Sequence, residues 1–284
     1  MKLCRFKNSR ARVCVGLLQE DLILDLGGVG IGQMTTLLES ADLSVRLRAL
    51  GDSTLPHYRL HDVELLAPIE RQEVWAAGVT YLRSKTARME ESEFSATAYD
   101  RVYDAARPEL FFKSLPEKVV GPCATVGIRK DARWSVPEPE LALVINSRGQ
   151  IAGYTIGNDM SSRDIEGENI LYLPQAKIYD QSCALGPAIR VGVDEAEVRT
   201  WTITLRILRG GIVAFTAETS VGQLKRRFEE LVGYLFRAQK FPHGAVLLTG
   251  TGIVPPDDFS LQPGDEANIE ISGIGALRNR VAPV

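Results

Sequence analysis

The sequence predicts an α+β protein built mainly from β-structure, with a small β-rich domain over residues 1–68 and a larger domain over 69–284. Short apolar or alternating runs recur between glycine and proline punctuation, the pattern of strands and turns. Helical spacing is convincing in only a few stretches. With 284 residues, 45% of them hydrophobic, the chain is large enough for one big core, or for a big core with a small satellite.

Within the first domain, residues 11–18 and 22–26 alternate as two strands joined by the polar turn Gln19-Glu20-Asp21. Leu37, Leu38, Leu43 and Leu47 follow, spread over a predicted helix at 34–50. Pro68 and the polar residues 70–73 mark the boundary. Beyond it, runs at 141–145, 201–207 and 268–271 read as strands. Ser220 with Gln223 three residues later forms a capping-box pattern, and Leu224, Phe228, Leu231, Val232 and Leu235 continue it at helical spacing. A second helical stretch, rich in Arg, Glu and Ala, is predicted from Thr80 to about Ala106. No internal repeat or low-complexity segment interrupts the pattern.

Composition narrows the function classes. Lys and Arg number 33 against 36 Asp and Glu, a formal net charge of −3, so nucleic acid is not an expected partner. No apolar run approaches the roughly 20 residues of a membrane span. The N-terminus Met1-Lys2-Leu3-Cys4-Arg5 carries charge where a secretory signal carries its apolar core. Cys4, Cys14, Cys123 and Cys183 lack zinc-type spacing and read as reduced thiols of a cytoplasmic protein. Only His57, His61 and His243 are present, which leaves histidine metal sites and Ser-His-Asp arrangements poorly supplied.

The densest chemistry lies between residues 138 and 177. Glu138 and Glu140 flank Pro139 just before the apolar run 141–145, and residues two apart on a strand share a face. The turn signal Asn146-Ser147-Arg148-Gly149 then leads into a returning strand that ends at Asp159. A hairpin centred between residues 148 and 149 places Asp159 opposite Glu138. Three carboxylates then converge at its open end. Such acids read either as solvated charges at a strand end or as hard oxygen ligands, a set that selects Mg²⁺, Mn²⁺ or Ca²⁺ over zinc. Lys177 is the nearest counter-charge in sequence, and a surface lysine is its other reading.

These residues carry a family resemblance. Glu138-Pro139-Glu140, the stretch 157–164 (Gly-Asn-Asp-Met-Ser-Ser-Arg-Asp), Ala176-Lys177-Ile178-Tyr179-Asp180, Leu185-Gly186-Pro187, Thr249-Gly250-Thr251-Gly252 and Leu261-Gln262-Pro263-Gly264-Asp265 are together similar to the fumarylacetoacetate hydrolase family, in the family's order and over roughly residues 73–284. The resemblance implies a mixed β-sandwich or β-roll catalytic domain, a small N-terminal domain and a homodimer or homotetramer. It also implies a Mg²⁺ or Mn²⁺ ion held by Glu138, Glu140 and Asp159, with Lys177 beside it. One departure stands out. Hydrolytic members carry Gly-x-Asn-Tyr-x-x-His-x-x-Glu, whose His and Glu activate water. Here those two positions hold Ser84 and Ala87. Hydrolysis through that dyad is disfavoured.

Residues 74–81, the Arg107-Pro108-Glu109-Leu110-Phe111-Phe112-Lys113 block and residues 250–256 resemble one branch most, the 2-keto-3-deoxy-pentonate dehydratases. Its pattern puts Glu109, Lys177 and Thr251 at the active site. The resemblance thus implies a metal-dependent lyase that acts on a 2-keto acid. The cation chelates the carboxylate and C2 carbonyl, Glu109 and Lys177 form the acid–base pair in an order the sequence leaves open, and Arg83, Ser84 and Thr251 contact the substrate. Arg88 lies on the same polar stretch, and Asn158, Arg163 and Asp164 are expected to brace the metal loop. An acylpyruvate-type carbon–carbon hydrolase, a 2-oxo acid decarboxylase and a catalytically idle metal-binding protein are the competing readings. The first needs a new base, and Glu109 is the candidate for it.

Overall fold

The computed structural model describes residues 1–82 and 101–284. Its first strands are β1 (Lys2–Lys7), β2 (Val13–Gln19), β3 (Leu22–Asp25), β4 (His57–Arg59) and β5 (Glu64–Leu66). Next come β6 (Glu73–Gly78), β7 (Glu109–Ser114), β8 (Thr125–Ile128), β9 (Ser135–Val136), β10 (Pro139–Ile145), β11 (Ile151–Asp159), β12 (Ser161–Ser162) and β13 (Cys183–Arg190). The last are β14 (Thr202–Arg209), β15 (Ile212–Ser220), β16 (Ala245–Leu248), β17 (Glu266–Ile271) and β18 (Gly275–Pro283).

A long sheet runs in the order β4-β3-β2-β1-β13-β11-β10-β16-β6-β7, with β5 against β1. Residues 1–68 therefore supply one end of the sheet that carries the hairpin, through the antiparallel pairing of Lys2 with Arg190 and Leu3 with Ile189. Strand β1 has no visible alternation because it is buried on both faces: Leu3 and Cys4, neighbours in sequence, are both fully buried, in different core clusters.

Two cores form on the two faces. Leu141, Leu143 and Ile156 pack against a second sheet of order β15-β14-β17-β18-β8, through Ile203, Leu205, Ile269, Ile271 and Leu277. The helix Phe228–Phe236 closes this core with Phe228, Leu231 and Leu235. Ala142 and Val144, pointing the other way, share the second core with Leu3, Val15, Leu17 and Leu185, and with Leu37 and Leu47 of the N-terminal helices. This is the expected mainly β, mixed-sheet sandwich.

Two helix expectations are corrected. The helix expected over 34–50 is two, Met34–Leu38 and Leu43–Gly51. Between them the Glu39 carboxylate turns away to accept the N–H and hydroxyl of Ser147 at 2.7 and 2.8 Å. Ser220 ends β15 and caps a short 3₁₀ turn, Val221–Gln223. The true helix starts at Phe228, because extended Leu224 and the Lys225 N–H to Thr80 carbonyl bond carry the chain across first. The stretch expected as a helix from Thr80 to Ala106 lies largely outside the described residues.

The hairpin register is as expected from the sequence. Pro139 pairs with Asn158, Glu140 with Gly157 and Leu141 with Ile156, and the Asp159 N–H donates to the Glu138 carbonyl at 3.0 Å. The pairing then carries the same face outward. Ala142 pairs with Leu248, Leu248 with Ala76, and Gly78 with Glu109. Since alternate residues share a face, Glu109, Phe111 and Lys113 stand on the face that carries Glu138, Glu140 and Asp159.

Candidate active site

Glu138, Glu140 and Asp159 are 4%, 2% and 1% exposed, and each offers a carboxylate oxygen within 4.8 Å of the others. That burial rules out solvated edge charges. Three anions in so small a volume require compensation. Lys177, the last residue of the helix Leu173–Lys177, supplies part of it: its ammonium donates to Glu138 Oε2 at 2.7 Å, Asp159 Oδ2 at 3.3 Å and Ser161 Oγ at 2.5 Å. Arg163 pairs with Glu138 Oε1 at 3.2 Å, and Lys113 with Asp159 Oδ1 at 2.5 Å. All three cationic side chains are 0–2% exposed.

Glu140 differs from its neighbours. Among the described residues no lysine or arginine pairs with it, and its Oε2 accepts the Gly250 N–H at 2.6 Å. Burial, and then the charges of Asp159 and Glu138, push its proton affinity well above the usual carboxylate range. A carboxylate so placed takes up a proton or a cation. Gly250 reaches it with φ +90°, and a side chain there would strike the Thr80 hydroxyl.

The cavity bounded by the three carboxylates is also lined by Gly78, Phe111, Arg163 and Thr251, and its volume of about 10 Å³ suits one water-sized body. With all-oxygen donors and no His or Cys in the cluster, the residues present fit Mg²⁺ or Mn²⁺. A larger cavity of about 620 Å³, lined by Leu18, Leu60, Leu65, Pro122 and Pro187, includes none of these carboxylates.

Glu109 reaches this region by lying across Gly78, where a methyl group would stand 2.7 Å from its Cδ and closer still to Oε2. The glycine that pairs with Glu109 is therefore also the space its carboxylate occupies. Thr251, 3% exposed, lines the cavity while its hydroxyl donates to the Ile253 carbonyl at 3.1 Å and accepts the Ile253 N–H. Arg83, Ser84 and Arg88 lie outside the described residues. Of the expected braces, Arg163 contacts Glu138 directly, and Asp164 accepts the Arg133 N–H at 2.7 Å. Asn158 is buried on the opposite face from Asp159, with neither amide atom hydrogen-bonded among the described residues. Sequence reasoning missed Lys113 and Ser161. Lys113 had a usable signal: it is the third residue, after Glu109 and Phe111, on one face of β7.

The family model for the fumarylacetoacetate (FAA) hydrolase C-terminal region matches residues 73–282, which holds every carboxylate and cation of this site. The chain belongs to the fumarylacetoacetate hydrolase family. Within it, the protein is 38% identical over 282 residues to the 2-dehydro-3-deoxy-D-arabinonate dehydratase of Saccharolobus solfataricus, covering 98% of this chain and 95% of the relative. It is 47% identical over 223 residues to the probable 2-keto-3-deoxyxylonate dehydratase of Haloferax volcanii, covering 78% and 76%. A solved structure of 2-keto-3-deoxy-D-arabinonate dehydratase complexed with magnesium and 2,5-dioxopentanoate superposes with a TM-score of 0.81, at 35% identity, over 100% of this chain and 99% of that one. Among the described residues of this family member, no helix is long and apolar enough to cross a membrane.

Proposed function

We propose that this protein is a Mg²⁺- or Mn²⁺-dependent hydro-lyase that dehydrates a 2-keto-3-deoxy-pentonate to 2,5-dioxopentanoate and water. The observation that carries the reading is the buried triad of Glu138, Glu140 and Asp159 around one ion-sized space, with Lys177 donating to two of its members. The likeness to dehydratases over nearly the whole chain supports the choice of substrate.

Glu138, Glu140 and Asp159 would hold the cation. When bound, it supplies Lewis acidity to the carboxylate and C2 carbonyl oxygens of a 2-oxo acid, which acidifies C3–H. The residues of the chain then move the protons. Glu109 is assigned as the base that takes the C3 proton. Lys177 donates through its ammonium to Glu138, Asp159 and Ser161. It is assigned as the acid that helps the C4 hydroxyl leave as water. The C3–H and C4–O bonds break and C3=C4 forms; a proton then moves from C5 to C3 to give the C4=C5 enol, which gains a proton at C4 and loses its hydroxyl proton to yield the aldehyde. Thr251, at the cavity wall, and Arg83 and Ser84 are assigned to substrate binding.

The test is to incubate the protein and Mg²⁺ with 2-keto-3-deoxy-D-arabinonate and, separately, with acetylpyruvate, and to follow each product by mass. Loss of one water from the sugar acid alone is expected. Cleavage of acetylpyruvate would overturn the lyase reading and make Glu109 the base of a hydrolase. A homodimer or homotetramer remains the expected assembly, checked by light scattering.

A further inference from the structure

Lys113 plays no part in the acid–base scheme, yet it is a fully buried charge in the middle of the site. Its ammonium meets three acceptors from two other parts of the chain: Asp159 Oδ1 at 2.5 Å, the Met160 carbonyl at 3.0 Å and the Lys177 carbonyl. Two of its three protons are placed in hydrogen bonds to the carbonyls, and the contact with Asp159 is an ion pair. The Lys177 carbonyl ends a five-residue helix and belongs to the group of helix-end carbonyls that need an outside donor. Asp159 is meanwhile stretched between two ammonium groups, Oδ1 to Lys113 and Oδ2 to Lys177.

We propose that Lys113 is a positioning residue that fastens the Asp159 carboxylate and the backbone of Lys177 in the one arrangement the cation site requires. The proposal rests on the cation reading above. From strand β7, Lys113 ties together the end of β11 and the C-terminus of the Lys177 helix. Without the ammonium, Asp159 keeps one ionic partner among the described residues, at 3.3 Å, and two buried carbonyls lose a donor. The carboxylate then has rotational freedom that cation binding must remove. An ammonium beside a dication also repels it. The positioning effect is the larger one here, because the ammonium is held by two buried carbonyls and by the Asp159 carboxylate that it neutralises.

The experiment titrates Mn²⁺ calorimetrically into the full-length wild-type protein, Lys113→Met and Leu143→Ala, with thermal unfolding followed in parallel. Leu143→Ala opens the core on the opposite sheet face and controls for lost stability alone. Lys113→Met is expected to weaken Mn²⁺ binding by about 10–100-fold, the usual cost of losing a group that orients a ligand. Leu143→Ala is expected to melt earlier but bind as the wild type does. Lys113→Met affinity equal to or tighter than wild type overturns the proposal, as does equal weakening in Leu143→Ala. Absence of Mn²⁺ binding in the wild type overturns the cation reading instead. Should Lys113→Met not fold, Lys113→Gln, which keeps a donor for the carbonyls and removes the charge, carries the same expectation.

Discussion

Replacing Gly78 by alanine tests the placement of Glu109 without touching its chemistry. The added methyl would sit 2.7 Å from Glu109 Cδ and overlap Oε2. Contact at normal van der Waals separation, about 3.5–4.0 Å between carbons, displaces the carboxylate by roughly 1 Å. The obstacle is the far end of a flexible side chain, so the chain accommodates it without unfolding. A misplacement of about 1 Å at a reacting centre costs on the order of 100-fold in rate, or about 2.7 kcal/mol of transition-state stabilisation. The assay is steady-state turnover of 2-keto-3-deoxy-D-arabinonate with saturating Mg²⁺, alongside Mn²⁺ affinity and thermal unfolding. Turnover should fall by about two orders of magnitude while cation affinity and melting temperature stay near wild type. Turnover within about threefold of wild type would refute the idea that Glu109 acts from this position. Parallel loss of cation affinity would show that Gly78 shapes the whole site instead.

Further outcomes follow from the same geometry. Glu109→Gln should lose turnover much more than it loses bound Mn²⁺, measured on one preparation by kinetics and metal analysis. Glu138→Gln removes the charge that Lys177 and Arg163 share, and breaking such a buried pair costs roughly 3–5 kcal/mol. It should lower the melting temperature and abolish Mn²⁺ binding, and full retention of both would remove Glu138 from the ligand set. Treatment with a chelator should abolish dehydration, and Mg²⁺ or Mn²⁺ should restore it. The thiols offer a check independent of function. Burial pushes Cys4 and Cys183 up to about 12 and also raises Cys14, whereas Cys123 is exposed. One fast-reacting thiol is therefore expected in the native protein at pH 8 and all four after unfolding, by colorimetric titration. Two fast thiols would mean that a buried cysteine is accessible.

How much was legible in advance depended on the range of the interaction involved. The strand pair 138–159 could be read because a tight turn sets its register and each side chain's face follows from a period of two. Asp159 was therefore placed opposite Glu138 from sequence alone, and the three-carboxylate cluster with it. Strand β1 was missed for a related reason: with apolar groups on both faces it has no alternation to read. The continuity of the helix over 34–50 and the start of the later helix at 220 were misjudged because local capping and leucine spacing competed with distant partners. Ser147 drew Glu39 away, and Thr80 held Lys225.

By itself the sequence determined the donor chemistry, the hairpin that gathers three acids, and the family order of motifs, all local or nearly local properties. It also determined what is missing, since Ser84 and Ala87 occupy the positions of the water-activating dyad. Only the tertiary structure decided that those acids are buried beyond solvent screening and that Lys113, Arg163 and Lys177 divide their charge. It alone showed that Gly78 makes room for Glu109. These are pairings across 25 to 64 residues of sequence, set by strand order and by helix docking against the sheet. No periodicity encodes that order, because it emerges only when two sheets and their helices bury their apolar faces together.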